Sequence, residues 1–286
     1  MNAAVQSLIQ QLLSKKAPIT YTPVGGGSIN HTYRITAAKD TFFCKINELA
    51  TFPNLFEAER HGLELLAQQQ VIRIPQVVTS GENGEHQVLI LEWIEQGLQT
   101  DTFWARFGKQ LAALHHIQRK QFGLDTDNYM GCLPQSNQPT DNWTGFFIEQ
   151  RLQPQVKLAV NRGLLEGAHV QQFEKLYQQL GNLFAPQPAA LLHGDLWSGN
   201  FLCDASQNPV LIDPAVYYGH RSIDMAMTTL FGGFDSLFYE SYNYHYPQPV
   251  NYRQQWEVCN LYPLLIHLNL FGKSYLADIV HTIRRY

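Results

Sequence analysis

The sequence predicts an α+β chain of two lobes. A small N-terminal lobe is a five-stranded antiparallel sheet carrying one helix, and a larger C-terminal lobe is mostly helical. Three observations predict this. Short β-like runs punctuated by glycine and polar turns fill the chain up to Glu92, around one amphipathic helix. The composition changes at Glu95, Gln96 and Gly97, as at a linker. Helical periodicities then dominate. The division expected is 1–94 and 95–286, with a hinge at about 92–97, and 286 residues suit two cores better than one or three.

Taken in order, residues 1–16 read as an amphipathic helix, and 21–24 and 31–35 as strands joined by a glycine-rich turn. Residues 41–47 form a third strand, 54–69 a helix, and 72–78 and 87–91 the last two strands, with a turn at 81–84. In the second lobe Phe103, Phe107, Leu111 and Leu114 mark a helix over 102–118, and 120–141 is a long loop. Further helices are expected near 143–160, 168–183, 236–242, 252–270 and 274–285, the fourth kinked by Pro263. Buried strands at 191–192 and 210–212 flank a polar, glycine-bearing turn.

Composition excludes several functions. Net charge is −4 and the chain is 45% hydrophobic, so no broad basic surface serves nucleic acid or anionic lipid, and extended disorder is not indicated. A neutral or cationic small molecule fits better. Cys44, Cys132, Cys203 and Cys259 are far apart and form neither zinc-ligand nor disulfide spacing. The N-terminal lysines follow the apolar residues, unlike an export leader, and the apolar run 261–271 is too short to span a bilayer. The expectation is a cytoplasmic protein with no membrane or nucleic-acid partner.

The chemistry concentrates in 191–213, LLHGDLWSGNFLCDASQNPVLID. Asp195, Asn200 and Asp213 occur there in the order that phosphoryl transfer from ATP requires: a carboxylate to orient the attacking hydroxyl, then an amide oxygen and a second carboxylate to hold Mg2+. The interval from Asp195 to Asn200 is that of the kinase catalytic loop H-R-D-x-x-x-x-N. Alone, the triplet HGD also reads as a turn with His193 packed in the core. Its strand, loop, strand setting and a matching N-terminal half decide against that.

In that half, Lys45 lies among apolar strand neighbours, where it is either an exposed strand residue or the lysine that contacts the α- and β-phosphates. Glu59 shares a helix face with Leu55, Leu63 and Leu66, which aims it at the sheet as the partner of Lys45. Gly25, Gly26 and Gly27 suit a loop over phosphates or a flexible hairpin, and match neither GxGxxG nor GxxxxGK[ST]. Backbone groups at Glu92, Trp93 and Ile94 are placed to meet an adenine edge. Asp224, in an apolar helix start, needs a partner, and the amides or histidine of the catalytic loop can supply it. His115 and His116 point apart on a helix and do not suggest a metal.

With GGGSIN, FCKIN, AERHGL, LEW, HGDLWSGN, IDPAVYYGHR, DMAM, LFGGF and HLNLFGKSYL, the sequence resembles the fructosamine kinase (ketosamine 3-kinase) family, a branch of the protein-kinase-like fold near aminoglycoside and choline kinases. The resemblance implies ATP-dependent phosphorylation of the sugar 3-hydroxyl of a ketosamine, after which the adduct breaks down and frees the amine. By motif, Asp195 resembles the general base and Asn200 and Asp213 the Mg2+ ligands. Lys45 and Glu59 resemble the phosphate-binding ion pair below Gly25, Gly26 and Gly27. Trp197, Tyr217, Tyr218, His220 and Arg221 are candidates to face the sugar or amine. Ser222 departs from the glutamate expected of relatives and bears on contacts at the substrate end, and FGKSY lacks a second glycine.

Only eleven positions separate Asp213 from Asp224, too few for a peptide-docking activation segment, and Gly194 stands where HRD has arginine. A constitutive kinase with a small or protruding acceptor is expected, as monomer or homodimer. Two alternatives keep the fold: an aminoglycoside- or choline-type phosphotransferase, and a non-catalytic binding module, which the intact Lys45, Glu59, Asp195, Asn200 and Asp213 disfavour.

Overall fold

The computed structural model describes residues 1–14, 18–25 and 30–286, so Gly26 and Gly27 lie outside the described residues. The chain forms two compact units, Met1–Phe103 with Gly199–Pro214, and Trp104–Ser198 with Ala215–Tyr286. Residues 95–103 and the segment Gly199–Pro214 thus fold with the N-terminal sheet.

In the first unit, α1 (Ala3–Leu12) is capped by Asn2, whose side chain accepts from the Val5 amide. Strands β1 (Ile19–Pro23), β2 (His31–Ala37), β3 (Asp40–Glu48), β4 (Val77–Glu82) and β5 (His86–Glu92) form an antiparallel sheet in the order β1-β2-β3-β5-β4. One sheet face meets α1 through Val5, Leu8, Ile9, Ile35, Cys44, Ile46, Val88 and Ile90, all buried. Lys45 alternates with Cys44 and Ile46 on β3 and so points to the opposite face, toward α2 (Leu55–Gln68).

The expected strand at 72–78 is displaced to β4. Pro75 interrupts the run, because a proline has no amide to give a ladder, and Gly81, expected in a turn, lies inside the strand. Leu12 of α1 occupies the space over it: a side chain at Gly81 would begin 2.7 Å from Leu12 Cδ2. The turn falls at 83–85, with Gly84 at φ +87°.

The stretch expected as a bare turn between two strands contains a strand of its own. Phe201–Cys203 pairs antiparallel with Pro209–Leu211, and this hairpin is fastened to the rest of its unit at both edges. The Leu211 amide donates to Arg73 O at 3.0 Å, and the Gly97 amide to Cys203 O at 2.8 Å. Arg73 adds a side-chain clamp, with one guanidinium nitrogen 2.5 Å from Glu92 and another on Asp204. Asp204 also accepts from the Ser206 and Asn208 amides at 2.8 Å, and although burial raises its carboxyl, these bonds and Arg73 hold it below the usual range.

The second unit is built from α3 (Asp101–His115, which starts in the first), α4 (Trp143–Phe146) running through a π-helical turn Phe147–Leu152 into α5 (Gln153–Asn161), and α6 (Gly167–Leu183). Then follow α7 (Ser222–Leu230), α8 (Ser236–His245), α9 (Tyr252–Cys259), α10 (Leu261–Phe271) and α11 (Leu276–Ile283). The helix expected at 252–270 is two helices that part at Asn260, just before Pro263. The long loop holds a small hairpin, Asn128–Met130 with Leu133–Gln135. The strand Ala189–Leu192 pairs with Tyr217–Gly219 and Gln118–Arg119 instead of with the run at 210–212. Among the described residues no helix is long and apolar enough to cross a membrane.

Candidate active site

In the first unit Lys45 is 1% exposed and lies between two carboxylates, 2.7 Å from Glu59 Oε1 and 2.6 Å from Asp213 Oδ1. Burial alone would lower its ammonium pKa, but the two acids outweigh it and hold the group above its ordinary value. Burial raises the Glu59 carboxyl against the pull of Lys45. The helix periodicity that aimed Glu59 at the sheet anticipates one of these contacts. The direct bond to Asp213 has no signature in the local sequence.

Asp213 adopts φ +54°, a conformation non-glycine residues seldom take outside constrained sites. The Ile212 amide donates to Asn200 O at 3.1 Å and so brings the two expected metal ligands side by side. Asn200 and Asp213 line one wall of a cavity whose other walls are Val24, Gly25, Thr32, Lys45 and the segment 91–94. The amides of Trp93 and Ile94 have no partner among the described residues, whereas the Glu92 amide donates to Gln76 O at 2.9 Å. Of the backbone groups expected at an adenine edge, the Glu92 amide is thus engaged by Gln76, and its carbonyl is not touched by that bond.

The catalytic loop belongs to the second unit. Gly194 takes φ +86°, and a Cβ there would lie 2.1 Å from Ala215 O, so only glycine fits between His193 and Asp195. Asp224, fully buried, accepts from the His193 and Gly194 amides at 2.8 Å each, and from His115 Nε2 at 3.2 Å. A carboxylate only accepts, so His115 carries its proton on Nε2 and accepts a hydrogen bond from the Tyr242 hydroxyl at Nδ1, 2.7 Å away. Burial raises the Asp224 carboxyl, but these donors prevail and keep it low. The loop amides were expected as its partners. The histidine is instead His115 on α3, for which the sequence excluded a metal role and offered no partner.

Burial lowers the pKa of His115 and takes that of His220 to about 3. An unfolded chain protonates both below about 6.5, while in the fold His220 stays neutral and His115 resists protonation. A depressed folded-state pKa means stability present above pH 6.5 and lost as the pH falls. His220 removes up to about 1.4 kcal/mol per pH unit in that window, and His115 acts in the same direction. Urea-unfolding midpoints are expected to fall steadily from pH 7 to 5.5. A flat profile over that range contradicts this.

The expectation that Tyr217, His220 and Arg221 face an acceptor is corrected. Tyr217 is fully buried, His220 packs 4.9 Å from Phe184, and Arg221 donates to Tyr246 O at 2.8 Å and to Pro247 O at 2.5 Å. Alternation along Tyr217–Gly219 turns Tyr217 inward, while Tyr218 is half-buried beneath the Arg119 guanidinium at 4.4 Å. Ser222, also buried, donates to Gln255 Oε1 at 2.9 Å and does not bear on a substrate end.

Trp197, two residues past Asp195, stands in a half-open aromatic wall. Its ring centroid is 5.7 Å from Phe231, which is 4.9 Å from His267, and Phe271 and Tyr275 lie 5.5 and 5.1 Å from His267. His267 Nδ1 donates to Pro263 O at 2.8 Å, which leaves Nε2 an acceptor without a partner among the described residues. Burial lowers the His267 pKa and favours this neutral form. The signal for it was the HLNLFGKSYL motif, noted without a role.

The family model described as fructosamine kinase matches residues 1–286. The chain belongs to the fructosamine kinase family. A Synechocystis protein named "Probable ketoamine kinase" is 42% identical over 92% of this chain and 88% of its own. A crystal structure assigned as a fructosamine-3-kinase from Thermobifida fusca superposes with TM-score 0.89 at 34% identity, covering 99% of this chain and 98% of that one. Aminoglycoside phosphotransferase APH(4)-Ia superposes with TM-score 0.65 at 16% identity, over 98% of each chain, which shows the fold alone. The fold is protein-kinase-like, and membership of the family makes the protein a phosphotransferase.

Proposed function

We propose that the protein transfers the terminal phosphoryl group of ATP to the sugar 3-hydroxyl of ketosamines, as a cytoplasmic deglycation kinase. The observation that carries the nucleotide half of this reading is Lys45, a buried cation set between Glu59 and Asp213 at the wall of a cavity. Lys45 binds the phosphates, and Glu59 keeps it aimed. The open amides of Trp93 and Ile94 suit an adenine edge, and Gly25 lines the same cavity, with Gly26 and Gly27 outside the described residues. Asn200 and Asp213 fit Mg2+, an ion that takes few protein oxygens and completes its shell with phosphate and water. Asp213 has one oxygen on Lys45 and is 41% exposed, so a second oxygen is available. When bound, the ion supplies neutralisation of phosphate charge.

Asp195 accepts the proton of the acceptor hydroxyl and orients it. The wall of Trp197, Phe231 and His267 suits the other end of a ketosamine. Aromatic faces take the apolar side of a sugar and a protonated secondary amine, and His267 Nε2 accepts from a hydroxyl or that amine. His267→Leu is expected to raise the KM for a ketosamine by about tenfold, one lost hydrogen bond to a charged or hydroxyl group, with the KM for ATP unchanged. Equal effects on both substrates contradict that role.

The reading is tested by measuring ADP release with Mg-ATP and a panel of ribulose-, erythrulose- and fructose-amine adducts beside choline and an aminoglycoside. Turnover confined to the adducts is expected. Turnover with choline or the aminoglycoside and none with any adduct overturns it.

A further inference from the structure

Arg151 is fully buried in the π-helical turn Phe147–Leu152, yet no carboxylate pairs with it among the described residues. A buried charge without a counter-ion is costly, and π-helical turns concentrate at functional sites. Its partners are oriented groups instead. It donates to Ser136 O at 2.5 Å, Gln150 O at 3.0 Å and Asn137 Oδ1 at 2.7 Å, and its guanidinium lies 4.0 Å over the Tyr217 ring.

Two routes lead from there to the loop that carries Asp195. The first is one ring long: Tyr217 Cε1 lies 3.4 Å from the point where a Gly194 Cβ would sit. The second is a chain of buried amides. Asn137 donates to Asn128 at 3.0 Å, Asn128 to Val216 O at 2.8 Å, and Gln135, braced by the Tyr262 hydroxyl at 2.8 Å, to Ala215 O at 3.3 Å. The Ala215 amide in turn donates to His193 O at 2.9 Å.

We propose that Arg151 is the positioning residue of the catalytic loop, a permanently buried cation that does through Tyr217 and residues 215–216 what an adjacent arginine does in an HRD loop, where this chain has Gly194. The proposal rests on the kinase reading of Asp195 and goes beyond it. It also gives a physical reason for constitutive activity, because a cation sealed in the interior needs no phosphate to hold it in place.

The test compares Arg151→Met, Arg151→Lys and Tyr262→Phe in the full-length protein, by steady-state kinetics with Mg-ATP and a ketosamine and by hydrogen exchange over 189–198. Arg151→Met is expected to lower kcat about 30-fold with the KM for ATP held within about twofold, and Arg151→Lys to recover most of the loss. Amides of 193–196 exchange at least about tenfold faster in Arg151→Met, and those of Ala189–Leu192 do not change. Tyr262→Phe, which loses one hydroxyl and should fold normally, shows the same pattern at smaller size. Native kcat and native exchange at 193–196 in Tyr262→Phe and either Arg151 variant overturn the proposal. So does a lysine variant no better than the methionine one. A wild-type protein inactive on every ketosamine strikes the kinase reading instead, and the exchange data still decide the positioning role.

Discussion

Asp195→Ala is expected to lower turnover by about 10²–10⁴-fold while nucleotide affinity stays within about twofold of native. The residues lining the cavity proposed for ATP all belong to the first unit, and Asp195 is not among them. Its amide bonds its own loop, to His193 Nδ1 at 3.2 Å, and the Asp224 clamp on residues 193 and 194 does not involve its side chain. Removing the carboxylate therefore costs the proposed proton acceptor and leaves the Asp224 clamp in place. Single-turnover rates beside a nucleotide titration read the two effects separately. A variant with near-native turnover sinks the base assignment.

Asp213→Ala has the broader effect. It removes a proposed Mg2+ ligand and one of the two anions that hold Lys45, which then pairs with Glu59 alone. At a nucleotide concentration a hundredfold above the native Kd, Mg-ATP stabilises the native protein by about 2.7 kcal/mol, and most of that is expected to vanish in the variant. Thermal melts with and without Mg-ATP give the answer. Turnover falls as well, so the two variants separate in binding and not in rate. Equal Mg-ATP stabilisation in Asp195→Ala and Asp213→Ala contradicts the division of roles.

How far the sequence could be read depends on the reach of each interaction. Lys45 stood out by its apolar strand neighbours, and Glu59 because helix periodicity fixes a direction within a few residues. The loop from Asp195 to Asn200 stood out because phosphoryl transfer demands set residue types at a set spacing. Asp224 was legible in part, since a carboxylate in an apolar helix start must find donors nearby. Its histidine partner sits more than a hundred positions away on α3. The Arg73 bond to Asp204 was beyond reach for the same reason. The strand Phe201–Cys203 was missed on other grounds: its run of three residues is too short to show an alternation. Tyr217, His220 and Arg221 misled by type. Polar and aromatic residues after a metal loop suggest a substrate face, but each here finds buried partners from other elements, and local pattern does not carry that information.

Phosphorus and proton NMR of the products made from Mg-ATP and a fructose-amine adduct show which oxygen receives the phosphoryl group. Phosphate on the sugar 3-hydroxyl is expected, formed in step with ADP and followed by release of the free amine. Phosphate at another position, or ADP formed at the same rate with no adduct present, would contradict it.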